Sequence, residues 1–74
     1  MSALNPPAMV QVNGERRPCP AGLSLEQLLI TLGYQPQLVV VEFNGDILPR
    51  QQWPEQVVVE SDVLEVVTIV GGGS

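Results

Sequence analysis

The residues best suited to chemistry lie at the end of the chain, where Gly71, Gly72 and Gly73 precede Ser74. Glycine has no side chain and few backbone restrictions, so this segment can be threaded into a cleft too narrow for other residues. At 3.3 to 3.6 Å per residue, residues 71 to 74 reach roughly 13 to 14 Å past the last strand. Such a terminus suits a carboxylate that must enter another protein's active site. A flexible end, or a Gly-Ser addition left by a fusion, is the plainer reading of the same residues.

Other reactive groups are few. The chain contains no His and no Lys, and neither a G-x-S-x-G turn nor a phosphate-cradling glycine loop followed by Lys, so nucleophilic, Schiff-base and P-loop chemistry each lack a participant. The carboxylates are scattered; Glu60 and Asp62 come closest to a pair and read as a solvated turn before the last strand. Cys19 is the only cysteine. It can form no internal disulfide, has no His beside it for zinc or thiol catalysis, and reads as a small apolar residue at a strand end.

Composition narrows the classes further. Seventy-four residues make one small domain, and 45% hydrophobic against 15% charged residues is enough to fold around a modest core. A formal charge of -5 has the wrong sign for tracking a phosphate backbone, which excludes nucleic acid as the expected partner. An acidic surface can instead steer a small protein toward a basic partner. No apolar run approaches a membrane span, and the first residues lack the features of a signal peptide, so a soluble, cytoplasmic protein is expected.

The elements that would position the tail follow from periodicity. The paired prolines in Met1 to Pro7 suggest a flexible lead-in (residues 1–7) before a domain over 8–70 and a tail over 71–74. Alternation from Ala8 to Val12, the turn residues Asn13-Gly14 and a return over Glu15 to Cys19 predict a hairpin. Ser24 with Gln27 forms a capping-box pattern, Leu23 and Leu28 occupy staple positions, and Leu25, Leu28, Leu29 and Leu32 share one helical face that ends at Gly33. Leu38 to Phe43 reads as a strand ending at Asn44-Gly45, Ile47 to Pro54 as a connector, Val57 to Val59 as a short edge strand, and Val63 to Val70 as the last strand. If Glu65 faces solvent, Val67 and Ile69 stand beside it while Leu64 and Val66 face the core. The order predicts an α+β fold, a mixed sheet crossed by one helix.

These features converge on a resemblance. Asn44-Gly45, Ile47-Leu48-Pro49-Arg50 and Trp53, followed by Asp62 opening an alternating strand that ends Ile69-Val70-Gly71-Gly72-Gly73, make the chain similar to the ThiS family, the sulfur carriers of thiamine biosynthesis within the ubiquitin-like β-grasp group. The resemblance covers roughly residues 8 to 73 and implies a four- or five-stranded mixed sheet with one main helix packed across it. It implies a carrier and not an enzyme, with no cofactor of its own. A ThiF-like adenylating enzyme would use ATP and Mg²⁺ to activate the carboxylate of Gly73. Sulfur from a donor such as a cysteine desulfurase would convert it to a thiocarboxylate, and a ThiG-like thiazole synthase would accept the sulfur. Gly71 and Gly72 would belong to the threading tail, and Val67 and Ile69 would contact the activating enzyme. Pro49, Arg50 and Trp53 match the family with structural roles.

Ser74 departs from the family, which ends on glycine. A Gly73–Ser74 peptide bond offers no free glycine carboxylate, so activation requires removal of Ser74 unless that residue is foreign or the chain inactive. Two rival readings remain at this level: a MoaD-like carrier serving molybdopterin synthesis, and a β-grasp interaction module whose tail does nothing. A carrier of this kind is expected to be a monomer.

Overall fold

The computed structural model describes residues 6–69. The lead-in over 1–7 is therefore described only at Pro6 and Pro7, which are exposed, and Val70 with the tail over 71–74 lies outside the described residues.

Strands β1 (Ala8–Val12) and β2 (Glu15–Cys19) form an antiparallel hairpin. Its turn places Asn13 at φ 53° and Gly14 at φ 84°, the left-handed pair that a type I′ turn needs. Helix α1 (Leu25–Thr31) begins at Ser24, whose hydroxyl accepts from the Gln27 amide while the Gln27 side chain accepts from the Ser24 amide. At its other end the Gly33 amide donates to Ile30 and the Tyr34 amide to Leu29, the double closure of a Schellman motif, with Gly33 at φ 95°. A helix of seven residues would not persist alone in water. Its two caps and the burial of Leu25, Leu28 and Leu29 against the sheet hold it.

A short 3₁₀ turn over Pro36–Leu38 leads into β3 (Val39–Phe43), and the Asn44-Gly45 turn folds back into β4 (Asp46–Ile47). A second 3₁₀ segment, Arg50–Glu55, carries Trp53 into the core before β5 (Val63–Thr68). The five strands lie in the order β2-β1-β5-β3-β4. The central pair, β1 with β5, is parallel, and the other pairs are antiparallel. This is the β-grasp arrangement, two hairpins whose inner strands β1 and β3 flank the central strand β5, with one helix across the face. The core comprises Val10, Val12, Val39, Val41, Leu64 and Val66 from the sheet, the three leucines of α1, and Cys19, Trp53 and Val58.

Two expectations are corrected. Val57 to Val59 form no edge strand: Val57 makes a single bridge to Ser24, the Val58 amide donates to the Leu23 carbonyl, and Val58 is buried. The alternation there records one side chain entering the core as the chain passes the start of α1, away from the sheet edges. A short edge strand is instead Asp46–Ile47, whose Ile47 opens what read as a connector, because two residues are too few to show a period.

Candidate functional site

The tail follows β5, the central strand, in the sequence, and the contacts of β5 hold the last described residues before it. Leu64 and Val66 point into the core, whereas Val63, Glu65, Val67 and Ile69 are exposed on the face opposite α1. Val67 is 62% and Ile69 45% exposed, as the alternation with Glu65 requires. Across the sheet Val67 stands opposite Val40 and Glu65 opposite Glu42. The Ile69 amide donates to the Leu38 carbonyl at 2.6 Å, extending the pairing one step past the strand. Val40, Val67 and Ile69 thus form an exposed apolar strip on the approach to the glycines.

Two asparagines fasten β5 from either side. Asn13 Oδ1 accepts from the Val66 amide at 2.7 Å and its Nδ2 donates to the Val66 carbonyl at 3.2 Å, so one side chain extends the β1–β5 pairing. Asn44 Oδ1 accepts from the Val63 amide at 2.8 Å, and its Nδ2 donates to Asp62 Oδ1 at 3.0 Å. Both asparagines sit in turns at positive φ, a conformation that Asn tolerates better than most residues. Asp62 is correspondingly buried, and its other oxygen accepts from the Val59 amide at 2.8 Å. Glu60 accepts from the Met9 amide. Glu60 thus stays exposed in the expected turn, whereas Asp62 departs from that expectation as a buried, hydrogen-bonded clasp at the start of β5. Sequence located the Asn-Gly turns but not the reach of their side chains; the signal available was Asn in place of Asp at both turns together with Asp62 opening the strand.

The other singled-out residues are structural. Cys19 is fully buried, its thiol within 3.6 Å of the Pro20 carbonyl, and burial, followed by the charge on Asp62, pushes its pKa above the ordinary 9.0. A buried protonated thiol is poorly placed to handle sulfur. Trp53 is 1% exposed with its Nε1 donating to Leu48, and Arg50 donates to the Gln37 carbonyl. Among the described residues no cluster of His, Cys, Asp or Glu has the makings of a metal site, and no helix is long and apolar enough to cross a membrane. Gly71, Gly72 and Gly73 lie outside the described residues.

Comparison with known proteins then decides the lineage: the ThiS family model matches residues 10–73. The chain belongs to the ThiS family. The sulfur carrier protein ThiS of Escherichia coli is 28% identical over 61 residues, covering 82% of this chain and 92% of that protein. A crystal structure of a thiamine biosynthesis protein (ThiS) from Geobacter metallireducens superposes with a TM-score of 0.74 at 31% identity, covering 88% of this chain and 99% of that one. A thiazole synthase of Magnetococcus marinus is 41% identical over 64 residues, 86% of this chain but only 20% of that protein, so a ThiS-like segment makes up about a fifth of its length. Membership carries the family-level role of sulfur carrier in thiamine biosynthesis, a small carrier and not a catalyst. It favours the thiamine-linked carrier over the molybdopterin reading, and the solved ThiS structure bears out the ubiquitin-like β-grasp.

Proposed function

We propose that this ThiS-family chain carries sulfur on Gly73 as a thiocarboxylate and delivers it to a thiazole synthase. A carboxylate resists attack because its charge and resonance make it a poor electrophile. The Gly73 carboxylate therefore attacks the α-phosphorus of ATP on a ThiF-like enzyme, pyrophosphate leaves, and Mg²⁺ balances the phosphate charge. A persulfide on a donor such as a cysteine desulfurase then adds its terminal sulfur to the acyl carbon and expels AMP. A thiol reductant attacks the inner sulfur of the resulting acyl disulfide, leaving as a disulfide with the donor and releasing the thiocarboxylate. The carrier itself contributes the threading glycines, Gly71 and Gly72, and a surface around Val67 and Ile69 that seats it on the enzyme.

The observation that carries this reading is the family match running through Gly73, on a fold whose central strand presents Val67 and Ile69 on the approach to that residue. Delivery to thiazole synthase is supported by the Magnetococcus protein, in which a thiazole synthase contains a segment similar to this chain. Joining the two in one polypeptide raises the effective concentration of one for the other. Ser74 lies beyond the matched residues, and the chemistry requires its removal. The buried, reduced Cys19 suits a reducing cytoplasm.

Intact mass spectrometry after incubation with the adenylating enzyme, ATP, Mg²⁺ and a sulfur donor tests the reading. The expected product ends at Gly73 with sulfur in place of one oxygen. A version terminating at Gly73 that is never adenylated or sulfurated, or a chain that supports thiazole formation without residues 72 to 74, would remove it.

A further inference from the structure

The outer face of the sheet contains a pairing that the fold itself does not reward. Glu42 of β3 and Glu65 of β5 stand directly opposite each other and are both exposed. Like charges in that position destabilise a sheet, with their Cβ atoms only about 4.5 to 5.5 Å apart. Among the described residues the one ion pair joins Arg17 to Glu15, so no cation answers either carboxylate. Arg16 is on the far edge strand opposite Gln11, and Arg50 is engaged with the Gln37 carbonyl. Apolar residues border the pair: Val40 and Val67 in the next row toward the tail, then Ile69, and Ile47 opposite Glu42 on the other side.

We infer that Glu42 and Glu65 form a recognition pair for a guanidinium, so that the enzyme which activates the tail seats one arginine between them with apolar side chains against Val40, Val67 and Ile69. This rests on the carrier reading above. Two adjacent carboxylates match the planar fork of an arginine, and exclusion of water by the apolar border strengthens the attraction. An enzyme that holds a polyphosphate near the entry of the tail carries positive charge there, and β5 runs from Glu65 past Val67 toward that entry. A second copy of the chain is a poor occupant, because two-fold pairing of these faces would bring four carboxylates together.

The test measures binding to the adenylating enzyme by titration calorimetry at low and high salt, alongside thermal unfolding of the isolated chain, for wild type, Glu42→Gln, Glu65→Gln and Glu65→Lys. Each Gln variant is expected to raise Tm by about 1 to 5 °C and to weaken association roughly tenfold, with a shallower salt dependence. Glu65→Lys should stabilise the free chain at least as much and weaken binding further, because it places a cation where the partner's would sit. Variants that gain stability yet bind as tightly as wild type overturn the inference while leaving a normally adenylated carrier intact. Loss of binding to thiazole synthase alone overturns the stated partner. A wild-type chain that neither binds the enzyme nor is adenylated removes the inference together with the carrier reading.

Discussion

Asn13 and Asn44 each serve two ends at once, turning a hairpin and fastening β5, Asn13 through both amide atoms on Val66 and Asn44 through its oxygen on Val63 while its nitrogen holds Asp62. Replacing Asn13 with Ala leaves the part-buried Val66 amide without its acceptor and keeps a β-carbon at positive φ without the side-chain amide that makes Asn tolerant of that conformation. We predict a loss of about 1 to 3 kcal/mol for Asn13→Ala, read from urea unfolding; an unchanged midpoint would show the clasp to be incidental. Cys19 permits a second prediction. Its folded pKa lies above the ordinary 9.0, so the folded chain keeps a proton that the unfolded chain releases. The stabilisation is complete below about pH 9 and is lost as pH rises toward the folded value. The alkaline decline should therefore be shallower in Cys19→Ala than in wild type, in urea titrations at about pH 8 and about pH 10. Parallel slopes would show that the thiol is not responsible. Cys19→Ser should leave sulfur loading nearly intact, as expected of a buried residue remote from the chemistry.

At the scale of elements, the parts legible in the sequence were those in which several local signals agreed. The first hairpin had alternation plus Asn13-Gly14, and α1 had a capping box, a leucine stripe and Gly33, and both formed as read. Illegible parts were those decided by distant partners. Ile47 belongs to a strand only because Glu42 is there to pair with it, and Val57 to Val59 lost their strand because the neighbouring backbone belongs to the lead-in of α1. The outward direction of Val67 and Ile69 could be read from Glu65, whereas the acidic partner opposite Glu65 required the register of β3. The same logic ranks the forces on α1. Leu28→Ala should cost about 2 to 5 kcal/mol because it opens a cavity beneath the helix, and Ser24→Ala about 0.5 to 2 kcal/mol through the lost cap. Denaturant midpoints in the reverse order would show capping, and not burial, to dominate.

For the molecule as a whole, the proposed function assigns stability and recognition to opposite faces of one sheet. The inner face is sealed by α1 and Trp53, while Val40, Val67 and Ile69 remain exposed on the other. Val67→Ser should therefore leave the unfolding midpoint within about 0.5 kcal/mol of wild type, as for most surface changes, while reducing kcat/KM for adenylation several-fold. A variant that unfolds early but is adenylated normally would reverse this division of roles.

The parallel contact between β1 and β5 also has a mechanical consequence. Any pull on the tail, whether by an active site drawing it in or by an unfolding motor, enters the domain along β5. The bonds from the Gln11 amide to Asp62, from the Asn13 amide to Leu64, and from the Asn13 side chain to Val66 run across that direction. They are loaded together in shear and do not open one after another like a zipper, so the carrier can be tugged by its end and still keep its shape.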